Sequence, residues 1–315
     1  MKTPVVLVTG FLGSGKTTLV ARLLQRPELG ETAVIVNEFG EVGIDHHLLR
    51  RVDERTVLLA SGCVCCVLRG DLSDELRDLL DRRDSGEIPY FRRVVIETSG
   101  VAEPAPIVHT LLTDPLLPHH YSLDSIVATV DGEHGLHGHE ALQQVAAADT
   151  IVITKTDVAE PAAVASLEAE LVRLNPTART VRASFGEIEP ELLLAASPND
   201  VREAPAATDG HHPAHDIEAV VLRLDRSIDW TAFGIWLTML LHARGSEILR
   251  IKGLLDTGGD GPLLVDCVQH AVYPPVHLET WPDEDRRSRL VFIGRGLGRN
   301  ALERSLAAFD RAVPG

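Results

Sequence analysis

The segment that most constrains the fold of this chain is Gly10-Phe11-Leu12-Gly13-Ser14-Gly15-Lys16-Thr17. It follows a short apolar run and leads directly into an amphipathic segment. Glycines at these spacings let successive backbone N–H groups turn toward phosphate oxygens at the N-terminus of a helix. We therefore predict that Lys16 contacts the β and γ phosphates of a nucleotide and that the Thr17 hydroxyl ligates Mg²⁺. The other predicted phosphate contacts come from Gly13, Ser14, Gly15 and Thr18.

The first 185 residues alternate apolar, β-branched runs with longer amphipathic segments. Strands are predicted over residues 5–9, 33–37, 56–60, 93–97, 125–130, 150–154 and 179–183, and helices over residues 16–24, 72–84, 105–112, 140–147 and 162–174. This alternation is typical of an α/β fold with a mostly parallel sheet covered by helices on both faces. Ligands of such sheets bind beyond the carboxyl ends of the strands, so motifs that follow different strands can form one site.

The pattern changes after residue 203. Residues 204–215 are rich in alanine, proline and histidine, show no periodicity and are interpreted as a linker. Strands are then predicted over residues 219–224, 248–255, 263–268, 276–279 and 290–293, with helices near residues 230–242 and 299–308. We therefore expect a P-loop nucleoside triphosphatase domain over residues 1–203 and a smaller α+β domain with an antiparallel sheet over residues 216–315.

An acidic residue ends a second apolar strand, in the run Val94-Val95-Ile96-Glu97-Thr98-Ser99-Gly100. Glu97 is predicted either to hold Mg²⁺ through water or to orient the attacking water. The Gly100 N–H is predicted to contact the γ phosphate and to respond to its loss. The alternative is a strand that simply ends in a surface glutamate.

The residues that choose the base are expected in Thr154-Lys155-Thr156-Asp157, which ends another apolar strand. The Asp157 carboxylate has only acceptors, so it matches the ring N–H and exocyclic amine of guanine, whereas adenine presents an acceptor nitrogen there. The Lys155 stem is expected to lie along the base and ribose. A backbone N–H at Ala183 or Ser184 is expected to contact the guanine oxygen. These features favour GTP over ATP.

Three of the four cysteines lie close together, in Gly62-Cys63-Val64-Cys65-Cys66. Thiolates select soft or borderline ions such as Zn²⁺, Co²⁺ or Cu⁺. A closed structural zinc site uses four protein ligands, so three thiolates would leave a coordination position open for transfer. Buried cysteines of the core and a redox pair are the alternatives.

Taken in order, these motifs resemble the CobW family, which is grouped with the HypB and UreG metallochaperone GTPases and includes YjiA-like proteins. The resemblance rests on residues 10–17, on the run from Asn37 through Glu38 and Glu41 to Asp45, on the cysteine motif, on residues 97–104 and on residues 154–157. Residues 249–253 and 291–294 resemble the CobW C-terminal domain. Thr154 stands where the commonest guanine motif has asparagine.

The resemblance implies a GTPase that delivers a transition metal, zinc first and cobalt second, to a client protein in a nucleotide-dependent way. Slow intrinsic turnover is expected because no arginine finger is identifiable in the sequence. It implies that Cys63, Cys65, Cys66 and Glu41 hold the transferable metal, while Thr17, Glu38 and Glu97 hold Mg²⁺ with GTP. Glu38 and Glu41 could instead be solvated carboxylates. Two alternatives are a GTP-dependent regulatory binding protein with a structural metal, and a P-loop kinase of a small metabolite. Asp157 argues against the kinase.

Bulk properties narrow the partners of the chain. Its net charge of −16 opposes binding to a nucleic-acid backbone, and its apolar runs are shorter than a bilayer requires. Clustered cysteines indicate reduced thiols, so a cytoplasmic location is expected, with GTP, GDP and a client protein as partners and the oligomeric state left open. Two groups of histidines are interpreted as exposed loop residues rather than ligands: His134, His137 and His139, and His211, His212 and His215.

Overall fold

The computed structural model describes residues 2–37, 57–61, 70–190 and 216–312. The chain divides into two compact units, Met1–Leu171 with Ala178–Ala196, and Val172–Thr177 with Ser197–Gly315. The predicted domain bounds stay a prediction. Within the described ranges, every helix is too short or too polar to cross a membrane.

The first unit is built on a seven-stranded sheet in the order β3-β2-β4-β1-β5-β6-β7. Each neighbouring pair of strands is parallel. The strands are β1 (Thr3–Gly10), β2 (Thr32–Asn37), β3 (Val57–Ser61), β4 (Arg93–Glu97), β5 (Tyr121–Asp131), β6 (Thr150–Thr154) and β7 (Arg179–Arg182). Central strands such as β1 and β6 are buried on both faces, which explains their continuous apolar sequence. The predicted α/β class with a parallel sheet is confirmed.

Helices connect the parallel strands, as parallel pairing requires. They are α1 (Lys16–Leu23), α2 (Gly70–Asp84), α3 (Pro104–Thr113), the short α4 (Leu117–His120), α5 (His139–Ala147) and α6 (Pro161–Leu174). A 3₁₀ turn at Pro27–Leu29 follows α1. All five helices predicted for this unit are present, whereas α4 and the 3₁₀ turn were not predicted.

The second unit contains an antiparallel sheet in the order β11-β10-β9-β13-β8, with β12 paired to β10. Its strands are β8 (Ile217–Leu224), β9 (Ile248–Leu255), β10 (Leu263–Val268), β11 (Ala271–Val272), β12 (Val276–His277) and β13 (Ser288–Arg295). Helices α7 (Trp230–Arg244) and α8 (Arg299–Ala312) supply apolar side chains to its core, where Trp236 and Phe292 meet edge to face. This is the predicted α+β architecture.

Candidate nucleotide-binding site

The phosphate-binding loop has the backbone that its glycines predict. Gly15 caps α1 in the left-handed region (φ 91°), and a Cβ on Gly10 would stand 2.2 Å from Thr129 Oγ1 and 2.7 Å from Ser14 Oγ. Only glycine fits at position 10 without displacing these side chains. The Ser14 and Thr129 hydroxyls lie 2.6 Å apart, so β5 helps to hold the loop from beneath.

Lys16 begins α1 and folds back over the loop. Its ammonium donates to the carbonyl oxygens of Gly10 (2.8 Å) and Phe11 (3.1 Å), and the residue is 8% exposed. The cation therefore lies within the loop, and its contact with phosphates stays a prediction. Phosphate oxygens would offer it stronger, charge-assisted partners than these carbonyls.

Thr17 and Glu97 converge from two different strand–loop junctions. The Thr17 hydroxyl donates to Glu97 Oε1 at 2.5 Å, and Glu97 is 2% exposed at the end of β4. A hydroxyl and a carboxylate at this separation offer hard oxygen ligands beside the phosphate loop, which fits Mg²⁺. Glu97 is thus a buried residue of the site and not a surface glutamate.

The turn after β4 is held in place by a buried glutamine of α5. Gln144 is fully buried, and its Nε2 donates to the carbonyl oxygens of Gly100 (3.1 Å) and Ala102 (3.0 Å). At the start of the same turn, the Thr98 N–H donates to Val8 O (2.9 Å) in β1. The segment with the predicted γ-phosphate sensor is therefore connected to both α5 and β1.

Thr154 and Lys155 support the site at the carboxyl end of β6. The Thr154 hydroxyl lies 2.7 Å from Ser14 O, so this side chain contacts the phosphate loop. Lys155 has φ 55° and its ammonium donates to Asp131 Oδ2 at 2.7 Å. Burial would raise the pKa of Asp131, but hydrogen bonds from Lys155, the Glu133 N–H and His134 outweigh it and lower that pKa. Asp131 therefore stays ionised and holds the Lys155 ammonium by an ion pair.

Asp157 and Ala183 lie in the two neighbouring segments that follow β6 and β7, where the Thr156 hydroxyl donates to Ala183 O (3.1 Å). Asp157 is exposed, and its Oδ1 is 3.4 Å from the Phe185 N–H. The Ala183 N–H donates to Ile153 O (2.8 Å), so this predicted donor to the guanine oxygen is already engaged within the protein. The Thr156 and Ser184 hydroxyls, 2.8 Å apart, connect the two segments.

The cysteine motif, Glu38 and Glu41 lie outside the described residues, as do His211, His212 and His215. Strand β2, which precedes Glu38, and strand β3, which precedes the cysteine motif, are described. Ser61 at the end of β3 pairs with Asn37, and Val36 pairs with Glu97. Strands in a sheet lie about 4.8 Å apart, so the backbone that enters the cysteine motif starts about 10 Å from that of Glu97. It leaves the sheet at the same edge as the phosphate loop.

His134 and His137 are exposed in the loop after β5, as predicted, whereas His139 is exposed but begins α5. His134 Nδ1 lies 3.0 Å from Asp131 Oδ2, and Asp131, Glu133 and His134 are close enough to share an ion. Asp131 is already engaged by Lys155.

Comparison with known proteins decides the family. Residues 4–182 match the model of the CobW/HypB/UreG nucleotide-binding domain, and residues 217–310 match that of the cobalamin synthesis protein cobW C-terminal domain. The chain belongs to the CobW/HypB/UreG family. The resemblance read from the motifs is therefore confirmed, over both units.

Relatives in the family extend over nearly the whole chain. The zinc chaperone YjiA of Escherichia coli K12 is 36% identical over 317 residues, covering 98% of each protein. The zinc chaperone CobW of Pseudomonas aeruginosa is 32% identical and covers 97% of this chain and 91% of its own. The crystal structure of the Zn(II)-bound YjiA GTPase from E. coli matches with a TM-score of 0.76 at 31% identity, covering 98% of this chain and 99% of that one.

Several residues of the site were not predicted from the sequence. Thr129, Asp131 and Gln144 have no motif of their own, and they reach the site only because β5 and α5 pack against the phosphate loop and the turn after β4. One signal was available: Asp131 ends an apolar strand of a parallel sheet, which is where ligand sites form.

Proposed function

We propose that this chain is a GTP-hydrolysing zinc chaperone that binds Zn²⁺ through its cysteine motif and transfers it to a client protein under nucleotide control. It is a P-loop GTPase by family. The observation that carries the proposal is the match, over almost the entire length of both chains, to a protein named as a zinc chaperone and solved as a Zn(II)-bound GTPase.

The geometry supports the assignment of the phosphate end. Lys16 would exchange the carbonyl oxygens of Gly10 and Phe11 for the β and γ phosphates, bringing a positive charge to the place where negative charge develops during hydrolysis. Thr17 and Glu97 would hold Mg²⁺, and the ion would offset the negative charge of the phosphates during hydrolysis. Glu38 is proposed as a further Mg²⁺ ligand.

The proposed reaction is attack of water on the γ phosphorus, with release of GDP and phosphate. Gly100 would donate its N–H to the γ phosphate and lose that contact after hydrolysis. Gln144 keeps the carbonyl of the same residue in place. None of the sequence motifs places an arginine at the γ phosphate, so we expect slow intrinsic turnover.

The base end favours guanine. Asp157 provides the acceptors that the guanine N–H groups need, and Asp131 positions Lys155 beside it. Thr154 supports the phosphate loop. Because the Ala183 N–H is bonded to Ile153 O, the Ser184 N–H is proposed as the donor to the guanine oxygen. Specificity for GTP would therefore depend mainly on one carboxylate.

Zinc is treated as cargo. Cys63, Cys65 and Cys66 are proposed as its thiolate ligands, with Glu41 as a fourth that can exchange, and Co²⁺ as a competing ion. The cysteine motif and the phosphate loop both follow the carboxyl ends of strands in one parallel sheet. Binding at either site can therefore change affinity at the other.

The test is a zinc competition titration on the full chain with a chromophoric chelator. It is run without nucleotide, with Mg²⁺ and GDP, and with Mg²⁺ and a non-hydrolysable GTP analogue. We expect zinc affinities with the two nucleotides to differ by about 5- to 150-fold, the usual range of allosteric coupling. We expect Cys65→Ala to lose at least about tenfold in zinc affinity, since it removes a thiolate ligand.

Cys267→Ala is the matched control. Cys267 is buried in the second unit, and burial, followed by the nearby Asp266 carboxylate, raises the pKa of its thiol, so it cannot supply a thiolate. Its removal should leave zinc affinity unchanged. Equal zinc affinity in all nucleotide states would reject delivery and favour a regulatory protein with a structural metal.

A further inference from the structure

Phe185 exposes a large apolar ring to solvent, which is unfavourable for an aromatic side chain. The residue is 64% exposed, and its backbone lies in the left-handed region at φ 55°. Residues other than glycine, asparagine and aspartate seldom adopt this conformation. None of the described aromatic rings stacks on it. An apolar ring held out from the surface by a strained backbone is a feature that tends to occur at ligand sites.

The neighbours of Phe185 place it between the two ends of the nucleotide site. Its own N–H is 3.4 Å from Asp157 Oδ1. The residue before it, Ser184, contacts the Thr156 hydroxyl at 2.8 Å. The residue after it, Gly186, lies against the first turn of α1, where a Cβ would stand 3.1 Å from Thr18 O. Phe185 therefore lies between the carboxylate that selects the base and the helix that receives the phosphates.

We propose that Phe185 forms one wall of the base pocket and stacks on the guanine that Asp157 binds. The inference rests on the proposed function, because it takes guanine as the ligand of Asp157. It adds a contact to the face of the base, where Asp157 contacts only the edge. Aromatic side chains stack on any base, so Phe185 contributes affinity while Asp157 contributes selectivity.

Unlike residues that contact the γ phosphate, Phe185 should not distinguish GTP from GDP. The base is the same in both nucleotides, so loss of the ring should weaken both by the same factor. A ligand that has phosphates and no base should bind equally well with or without the ring. These two expectations distinguish stacking from a general disturbance of the loop that contacts α1.

The experiment measures binding of three probes by calorimetry: Mg²⁺ with GDP, Mg²⁺ with a non-hydrolysable GTP analogue, and Mg²⁺ with inorganic triphosphate. Phe185→Ala should weaken both nucleotides by about 5- to 100-fold and leave triphosphate unchanged. Phe185→Trp should keep GDP affinity within about threefold, because indole also stacks on purines. GDP should quench the fluorescence of the added tryptophan. The same titration of the wild type gives the signal of the three tryptophans already present, which is subtracted.

Tyr90→Ala is the matched control. Tyr90 is an aromatic residue of nearly equal exposure, 63%, and it precedes β4 at the opposite edge of the same sheet. This variant should bind all three probes as the wild type does. Unfolding temperatures without nucleotide show whether each variant is folded.

The outcomes are distinct. Unchanged GDP affinity in folded Phe185→Ala, or an equal loss for GDP and triphosphate, would overturn the stacking role and leave the proposed function intact. A wild-type chain that binds ADP as well as GDP would overturn the guanine assignment and the stacking inference together.

Discussion

Gly100 lies so close to the phosphate-binding loop that no side chain fits between them. A Cβ on Gly100 would stand 2.6 Å from Leu12 N and 2.7 Å from Leu12 Cα, and these are backbone atoms that cannot turn aside. At the same time Gln144 holds the Gly100 carbonyl from the other side. The position of the Gly100 N–H therefore depends on two contacts made within the protein.

Gly100→Ala should weaken binding of a GTP analogue more than binding of GDP. The added methyl group would displace either the loop or the turn, and we expect affinity for a non-hydrolysable GTP analogue to fall at least about tenfold more than affinity for GDP. The reason is that only the γ phosphate uses the Gly100 N–H, and one lost charge-assisted hydrogen bond costs about 1.5–3 kcal/mol. Gly234→Ala is the control, since a Cβ there meets nothing within 4 Å. An equal loss for both nucleotides would contradict the sensing role.

Single residues also show where sequence reasoning reaches its limit in the site. The placement of Lys16, Thr17 and Glu97 beside the phosphate loop could be predicted, because each belongs to a local motif at a strand end. Asp131 and Gln144 could not, because each acts through a partner distant in the chain, Lys155 and Gly100. Positive φ at Phe185 was equally unpredictable, since the glycine of that turn is the next residue, Gly186, which has positive φ as well.

Among elements, α2, α3 and α4 meet at one carboxylate. Asp114 Oδ2 accepts from Ser73 (2.5 Å) and Arg77 (2.8 Å) of α2, while Oδ1 accepts from the backbone N–H groups of Leu116 (2.8 Å) and Leu117 (3.0 Å). Burial would raise the pKa of Asp114. The hydrogen bonds from Ser73, the two N–H groups and Arg77 hold it well below the usual range instead.

This carboxylate should make stability depend on pH. Its folded pKa is lowered, so its stabilising effect is complete above the unfolded pKa of about 4 and is lost as pH falls toward the folded value. At pH 7, Asp114→Asn should be destabilised by about 1–3 kcal/mol. The difference from wild type should shrink below about pH 4, as followed by urea unfolding in a pH series.

Asp74→Asn controls for the loss of an arginine partner alone. Asp74 contacts the same Arg77 at 3.4 Å, but its side chain is 74% exposed. It should change stability by less than about 0.5 kcal/mol at any pH, as exposed ion pairs usually do. A difference between wild type and Asp114→Asn that stays constant from pH 7 to pH 3 would refute the linkage.

The predictable elements are those whose sequence carries its own signal. Buried strands such as β1 and β6 have continuous apolar runs, and α6 and α7 are long enough for their pattern to be read. In contrast, α4 has four residues, and its first N–H groups depend on Asp114. Strand β5 begins at Tyr121 and not at the predicted residue 125. The Tyr121 hydroxyl donates to Leu76 O (2.9 Å) in α2, a contact between distant residues that the local sequence does not indicate. The β10–β11 hairpin turns at Gln269 (φ 49°) without a glycine.

For the whole molecule, the proposal requires that zinc and nucleotide affect each other equally. If GTP changes zinc affinity by some factor, zinc must change GTP affinity by the same factor, because the two routes to the doubly bound protein have the same free energy. We expect the two factors to agree within error when GTP-analogue affinity is measured with and without zinc. Cys65→Ala should abolish the effect of zinc on nucleotide binding and leave GDP affinity in zinc-free buffer unchanged.

A zinc effect on GTP affinity that survives in Cys65→Ala would place the coupling metal elsewhere. Asp131, Glu133 and His134, which lie beside Lys155, would then be the first residues to substitute.

The order of strands in the first unit has a mechanical consequence. The cysteine motif begins at β3, on the outer side of the sheet, whereas the phosphate loop begins at β1, three strands inward. Backbone hydrogen bonds hold these starting points at a constant separation of about 14 Å, which neither ligand can shorten without breaking the strands apart. Substitutions inside these strands should therefore chiefly alter folding and leave the separation of the two starting points unchanged.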